Sequence, residues 1–239
     1  MLHLPYLTST TALVFSIFIF LRYRRKGGMH LLLWGIGMFL YFLSTFCEVI
    51  LSITFSELAI KIWYIAGAML VAAWLGQGTV HLLIRRGKIA MTMTYILAAV
   101  SLVAIAVVMA APLTGAQAGY NVSLPASEQY KEVMTRSGLT IFLTILLNLY
   151  GTITLVGGAL FSAYLFWRKE ILSNRMFGNI MIAVGALSPA MGGSFLKAGL
   201  VDFLYLSELA GIILMFAGFL LATAGKDVKV QTPSVSPAD

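Results

Sequence analysis

The sequence predicts an all-α membrane protein of seven transmembrane helices, N-terminus outside and C-terminus in the cytoplasm, and three observations predict it. Hydrophobic residues make up 60% of the chain and charged residues 10%, at a mean hydropathy of +0.93, a balance foreign to a water-soluble domain of 239 residues. Long apolar stretches recur along the chain, each able to cross a ~30 Å hydrocarbon layer as a helix. The 16 Lys and Arg residues then fall on alternate connections very unequally, with Arg22, Arg24, Arg25, Lys26, Arg85, Arg86, Lys88, Arg168, Lys169, Arg175, Lys226 and Lys229 on one side and Lys61, Lys131, Arg136 and Lys197 on the other. Basic residues in short loops stay cytoplasmic, which fixes the expected orientation. The net charge of +7 therefore reads as a membrane-edge charge, so the expected partner is the lipid bilayer and not nucleic acid.

The first span covers Leu4 to Leu21 and stops at the basic cluster beginning with Arg22. Its positive charges follow the apolar run, and no small-residue cleavage site comes after it, so it reads as an uncleaved helix and not a signal peptide. The second span runs from Met29 to Leu51, and the third starts at Glu57 after the turn 52–56 and ends at Arg85, Arg86 and Lys88. The fourth, Ile89 to Ala111, is small and aliphatic with no charge. A polar loop follows at 112–136, with a short surface helix expected over 127–133 and an Asn121-Val122-Ser123 pattern too common by chance to carry weight. The fifth, sixth and seventh spans cover 137–167, 177–198 and 202–224. Residues 1–225 thus form one transmembrane domain, and 226–239, polar and short, form a disordered cytoplasmic tail.

Sliding the chain against itself by 144 positions places Arg24-Arg25 on Arg168-Lys169, and Ala66-Gly67, Leu70 and Ala73 on Ala210-Gly211, Leu214 and Ala217. This is a three-plus-one-plus-three plan, a parallel repeat with the fourth helix as linker, although the second and sixth helices do not align.

Polar stripes indicate which faces look inward. Trp34, Gly37, Tyr41, Ser44 and Glu48 recur at three- and four-residue steps on the second helix, a face that belongs against other helices. The fifth helix carries Thr140, Thr144, Asn148 and Thr152, and the sixth carries Ala186, Ala190, Ser194 and Ala198 beside Pro189 and Gly192-Gly193. Small residues permit close approach of backbones, and the proline invites a kink.

Ionisable groups gather at the outer end. A carboxylate near the bilayer centre costs ~2.5–3.5 kcal/mol, so Glu48 and Glu208 need a partner, a proton or water. Lys61, across a short turn, is the expected partner of Glu48, with Tyr41 and Ser44 on the same stripe, Asn148 opposite, and Lys197 and Asp202 in the outermost turn. Together Glu48, Lys61, Tyr41, Ser44, Asn148, Glu208 and Lys197 make the candidate ligand site of an outward-facing polar cavity. Paired charges that merely hold helices together are the competing reading.

No cofactor is expected. A retinal Schiff base needs a lysine within the last helix, which has none between Asp202 and Ala224, and His30 and His81 sit too near the interface to favour a bis-histidine haem. The lone Cys47 excludes an internal disulfide and any multi-thiolate metal centre. Neither a zincin helix nor a nucleophile elbow is present, which points away from an enzyme.

The run Trp34, Gly35, Tyr41 and Glu48, followed by Glu57, Lys61, Trp63-Tyr64 and Trp74, resembles the heptahelical N-terminal membrane sensor module of prokaryotic histidine kinases. The resemblance implies a receptor in a prokaryotic cytoplasmic membrane that passes a signal to an output domain. Only thirteen residues follow Lys226, too few for a kinase, so the expected output is a separate membrane or cytoplasmic protein. A non-enzymatic sensing or partner-binding module is the leading expectation. A small-solute or ion transporter and an accessory subunit of a larger membrane complex are the alternatives.

Overall fold

A computed structural model describes residues 4–84, 87–114, 119–168, 173–197 and 201–224, with the side chains of 190–197, 201 and 202 outside the description. Helix α1 (Leu4–Lys26) leads through a two-residue turn into α2 (Met29–Leu51). That turn is Gly27-Gly28, with φ of 67° and 100°, left-handed backbone that glycine adopts without strain. Helix α3 (Glu57–Leu83) and α4 (Gly87–Ala110) follow. The outer loop contains the short α5 (Ala126–Val133) and leads to α6 (Gly138–Arg168), α7 (Ser173–Lys197) and α8 (Val201–Ala224). Among the described residues the only β pairing is one isolated bridge, Leu113 with Met134.

Among the described residues six helices, α1 to α4, α6 and α8, are long and apolar enough to cross a membrane. The 25-residue α7 carries Pro189 inside. The expected spans coincide with the helices to within a few residues, because a lipid-facing stretch must satisfy every backbone group within its own helix. The tail at 226–239 lies outside the described residues.

Two helices break the regular ladder. Residues Tyr64–Leu70 of α3 and Ile153–Gly157 of α6 wind as π-helix. Within the first of these, the Ala68 carbonyl accepts the Asn148 amide at 2.6 Å, and Tyr64 hydroxyl meets Thr144 hydroxyl at 3.0 Å. Asn148 is therefore the member of the Thr140–Thr152 stripe that satisfies the altered backbone of α3, whereas Thr152 at the end of the expected stripe is exposed.

Backbones approach closely along two seams. On α2 the inward stripe faces α3: a Cβ on Gly67 would lie 2.9 Å from Ser44 Cβ, and one on Gly78 would meet Trp34. On α7 a Cβ on Gly185 would lie 2.6 Å from the Gly211 carbonyl oxygen, and one on Gly178 2.6 Å from that of Gly218. The α7 seam thus runs through Gly178 and Gly185. Of the expected alanine and serine stripe, Ala186 is only half-buried, and Ala190, Ser194 and Ala198 lie outside the described side chains.

The two seams share a register. Ser44 Oγ donates to the Trp63 carbonyl at 3.2 Å, and Ser188 Oγ donates to the Ser207 carbonyl at 2.7 Å. A Cβ on Gly211 would stand 3.2 Å from Ser188 Cβ, as Gly67 stands against Ser44. Thr79 bonds back to Leu75, and Thr223 to Phe219. Every one of these pairs is 144 positions apart. What recurs in α2 and α7 is a small donor opposite a glycine, carried by Ser44 and Ser188, one of few identities between the two helices at this offset.

Aromatic rings close α1 onto α8. Phe15 stacks on Phe216 with centroids 4.6 Å apart, and Phe219 meets Phe15, Phe18 and Trp34. At the outer end the loop is a folded cap. Thr135 N–H bonds the Pro112 carbonyl and Thr114 N–H that of Val133, while Gln129 ties the turn at Asn121 to its own helix. Met134 and Val133 are buried under it, and Tyr130 packs on Trp63 and Tyr64 at 5.7 and 5.5 Å.

Candidate functional site

Glu48 sits near the C-terminal end of α2, where the 3.6-residue period that puts Trp34, Gly37 and Ser44 against α3 also turns its carboxylate inward. It is 5% exposed. Around it stand Trp63 from α3 and Tyr205 from α8, whose side chains hydrogen-bond the carboxylate. No hydrogen-bond donor of good geometry reaches Glu48 Oε1. Glu208, also on α8 and half-buried, lies within electrostatic range of Glu48. Tyr41 fastens the two helices, donating its hydroxyl to the Glu208 backbone carbonyl at 3.3 Å.

The cap supplies the roof. Tyr120 packs against Phe55 at 5.0 Å, and burial, with a further push from the Glu48 carboxylate, moves its phenol up to about 12. Glu48 therefore faces an aromatic surround contributed by α2, α3, α8 and the outer loop.

The structure brings Tyr41, Glu48 and Glu208 together, with Ser44 one turn away anchoring α2 to α3. Lys61 goes elsewhere: its ammonium donates to the Met109 carbonyl at 2.9 Å, at the end of α4. The side chain reaches toward α4, so closeness along the chain does not become closeness in space. Asn148 is likewise bound to Ala68 and Thr144, which removes it from the cluster. The side chains of Lys197 and Asp202 lie outside the described residues. Lys131 and Arg136 rest over the Tyr130 ring at 5.9 and 5.0 Å. Among the described residues no cation forms an ion pair with either carboxylate, and no group of three His, Cys, Asp or Glu could hold a metal ion.

Two features escaped the sequence argument. Gln77 is fully buried and joins three helices, donating to the Ala90 carbonyl at 2.9 Å and Thr94 hydroxyl at 2.8 Å while accepting from Tyr150. A lone glutamine inside an apolar span was the available signal. Trp63 and Tyr205 give no such signal, since an aromatic residue in a membrane helix is as readily a lipid contact. His81, considered as a haem ligand, holds Thr94 hydroxyl at 2.8 Å through Nε2.

Chemically the cluster can receive a positive or hydrogen-donating group. Two carboxyl groups share a low-dielectric site among aromatic side chains, a combination that suits ammonium-like cations. Compared with known proteins, the chain matches no family model, no curated protein and no solved structure.

Proposed function

We propose that the chain is a non-enzymatic sensing or partner-binding module of a membrane, and that a small organic ammonium is recognised at the Glu48–Glu208 cluster. The observation that carries this reading is the buried Glu48 carboxylate with Oε1 lacking a partner, beside a second carboxylate and, among the described residues, without a cation. An ionisable group inside a membrane helix is costly, less so towards the bilayer edge where Glu48 lies, and proteins retain such groups where they act. With α7 as the seventh span and the basic helix ends in the cytoplasm, the cluster opens to the outside beneath the cap. The likeness of the α2–α3 region to prokaryotic sensor modules supports a receptor role.

The test is a thermal-shift titration of purified protein in nanodiscs against quaternary and primary ammonium ions, with Na+ and K+ as controls. At least one organic ammonium should raise the melting temperature of the natural protein and leave E48Q and E208Q unmoved. The same shift in E48Q, or none from any ammonium, would contradict the reading.

A transporter is the second reading, favoured by the shared register of the α2–α3 and α7–α8 seams. Parallel repeats with a site between them are a transporter plan. Uptake of the bound ammonium into proteoliposomes supports that reading, and binding without uptake supports the sensor.

A further inference from the structure

At the opposite end of the molecule, where α1, α3, α6 and α8 finish and α2 and α7 begin, lies a cavity of about 580 Å³. Arg22, Lys26, His30 and Arg175 line it, and among the described residues no aspartate or glutamate does. Its inner wall is apolar and aromatic, with Trp34, Phe219 and Ile182 all buried. Asn179, donating to Ser162 at 3.1 Å, adds a neutral polar edge. At the margin Leu82 is 49% exposed, so the polar chamber meets an apolar outer surface.

Basic residues at cytoplasmic helix ends ordinarily reach into water, as the exposed Arg24 and Arg25 do. Arg22 and Arg175 are instead half-buried and folded inward. Arg22 donates one N–H to the Thr223 carbonyl at 3.1 Å, with its guanidinium over the Phe219 ring at 5.8 Å. A guanidinium has five N–H donors, so several remain for a ligand. Arg175 stands over the Phe166 ring at 5.9 Å. Trp34 is held against the bare backbone of Gly78, where any Cβ would collide with the indole, so the cavity wall has a fixed shape. The volume falls within the ~300–1,000 Å³ typical of small-molecule sites and far exceeds that of one hydrated ion.

We propose that this cavity binds a phosphate-bearing amphiphile, its phosphate held by Arg22 and Arg175 with Lys26 at the rim, and its apolar portion lying on the Trp34–Phe219 wall. Planar guanidinium groups match phosphate oxygens with paired hydrogen bonds, and aromatic backing restricts the rotamers that the bonds require. The site is separate from the Glu48–Glu208 cluster and does not depend on its assignment. A bilayer phospholipid headgroup and a soluble phosphate ester present the same group, and the experiment separates them.

Purified protein is stripped of lipid in a neutral maltoside detergent at physiological salt. Binding of dihexanoyl phosphatidic acid is measured by native mass spectrometry, with dihexanoyl phosphatidylcholine and inorganic phosphate as comparators. Phosphatidic acid should bind at least about tenfold more tightly than phosphatidylcholine, and R175Q should weaken it by about tenfold, the scale of one lost charge-assisted contact. Competition by inorganic phosphate would assign recognition to the phosphate alone and so favour a soluble ester. Its failure to compete would assign the site to a lipid whose chains are needed. R22Q should act like R175Q; if loss of the Thr223 contact unfolds it, R175Q carries the test, because its only ring contact is with Phe166. R24Q, exposed and outside the cavity, should bind as the natural protein does. Equal binding of the two lipids, an unaffected R175Q, or an R24Q as weak as R175Q would overturn the proposal.

Discussion

Replacing Gly185 by alanine asks whether the α7–α8 seam is set by contact between backbones. The added Cβ would stand 2.6 Å from the Gly211 carbonyl oxygen, 2.8 Å from Met215 Cγ and 2.9 Å from Met215 N. Ordinary contact begins near 3.4 Å, so the helices must separate by roughly 0.8 Å. Two of the three obstacles are backbone atoms and cannot rotate away. A gap of 0.5–1 Å forfeits about a quarter to a half of each dispersion contact along the seam, and overpacking of this kind costs ~1–3 kcal/mol. Gly157 is the internal control, since a Cβ there meets nothing within 4 Å. G157A should be neutral or more stable by up to ~1 kcal/mol, because alanine loses less backbone entropy in a helix. Unfolding by sodium dodecyl sulfate in mixed micelles, followed by circular dichroism, measures both. If G185A unfolds at the same detergent fraction as G157A, the seam is not close-packed and the shared register with α2–α3 loses its physical basis.

Gln77→Leu should cost about 2 kcal/mol, from three interhelical hydrogen bonds of ~0.6 kcal/mol each and a stranded Tyr150 hydroxyl. Adding Y150F to Q77L should then cost less than Y150F alone, and equal costs in both backgrounds would deny the coupling. Tyr120, pushed up to about 12 against ~10 for an exposed phenol, holds its proton more tightly in the folded cap. Its stabilising contribution is complete below pH ~10 and disappears as the pH rises to about 12; ultraviolet phenolate titration should show a late step that Y120F removes. In a Cys47→Ser background, Glu128→Cys in the cap should react with an impermeant thiol reagent on intact cells and Asn174→Cys at the basic end should not; the reverse labelling would invert the orientation.

Helix positions were legible in the sequence because the constraint is local: each span must bury its own backbone groups, and punctuation such as Gly27-Gly28 or the turn at 52–56 is written in consecutive residues. The inward stripe of α2 was legible for the same reason, since Trp34, Gly37, Ser44 and Glu48 share one helix and one period. Partnerships across helices were not. Lys61 is thirteen residues from Glu48 along the chain, yet it projects toward Met109, because each helical residue turns the direction of the next side chain by about 100°. Asn148 reads as a free polar group only until the π-helical turn opposite it is known, and that turn depends on packing. The basic cavity was hidden by its own topology signal: Arg22 and Arg175 look like any other cytoplasmic charges until the structure folds them inward. The repeat was half visible, because Gly67 aligns with Gly211 and Ser44 with Ser188, but the serine identity stands nearly alone between two otherwise dissimilar helices and gains meaning only from the bonds it makes.

Retention of the Glu48 carboxylate for binding, at a cost to stability, is the central claim, and the melting temperature of E48Q without ligand tests it most directly. The amide keeps the shape of the side chain and removes a buried charge whose Oε1 has no donor. Groups that serve a site commonly leave the unliganded protein more stable when neutralised. E48Q should therefore melt above the natural protein in the same nanodiscs and lose its response to ammonium ions. An E48Q that melts several degrees lower would show Glu48 to be a structural charge, and the proposed site would fall with it.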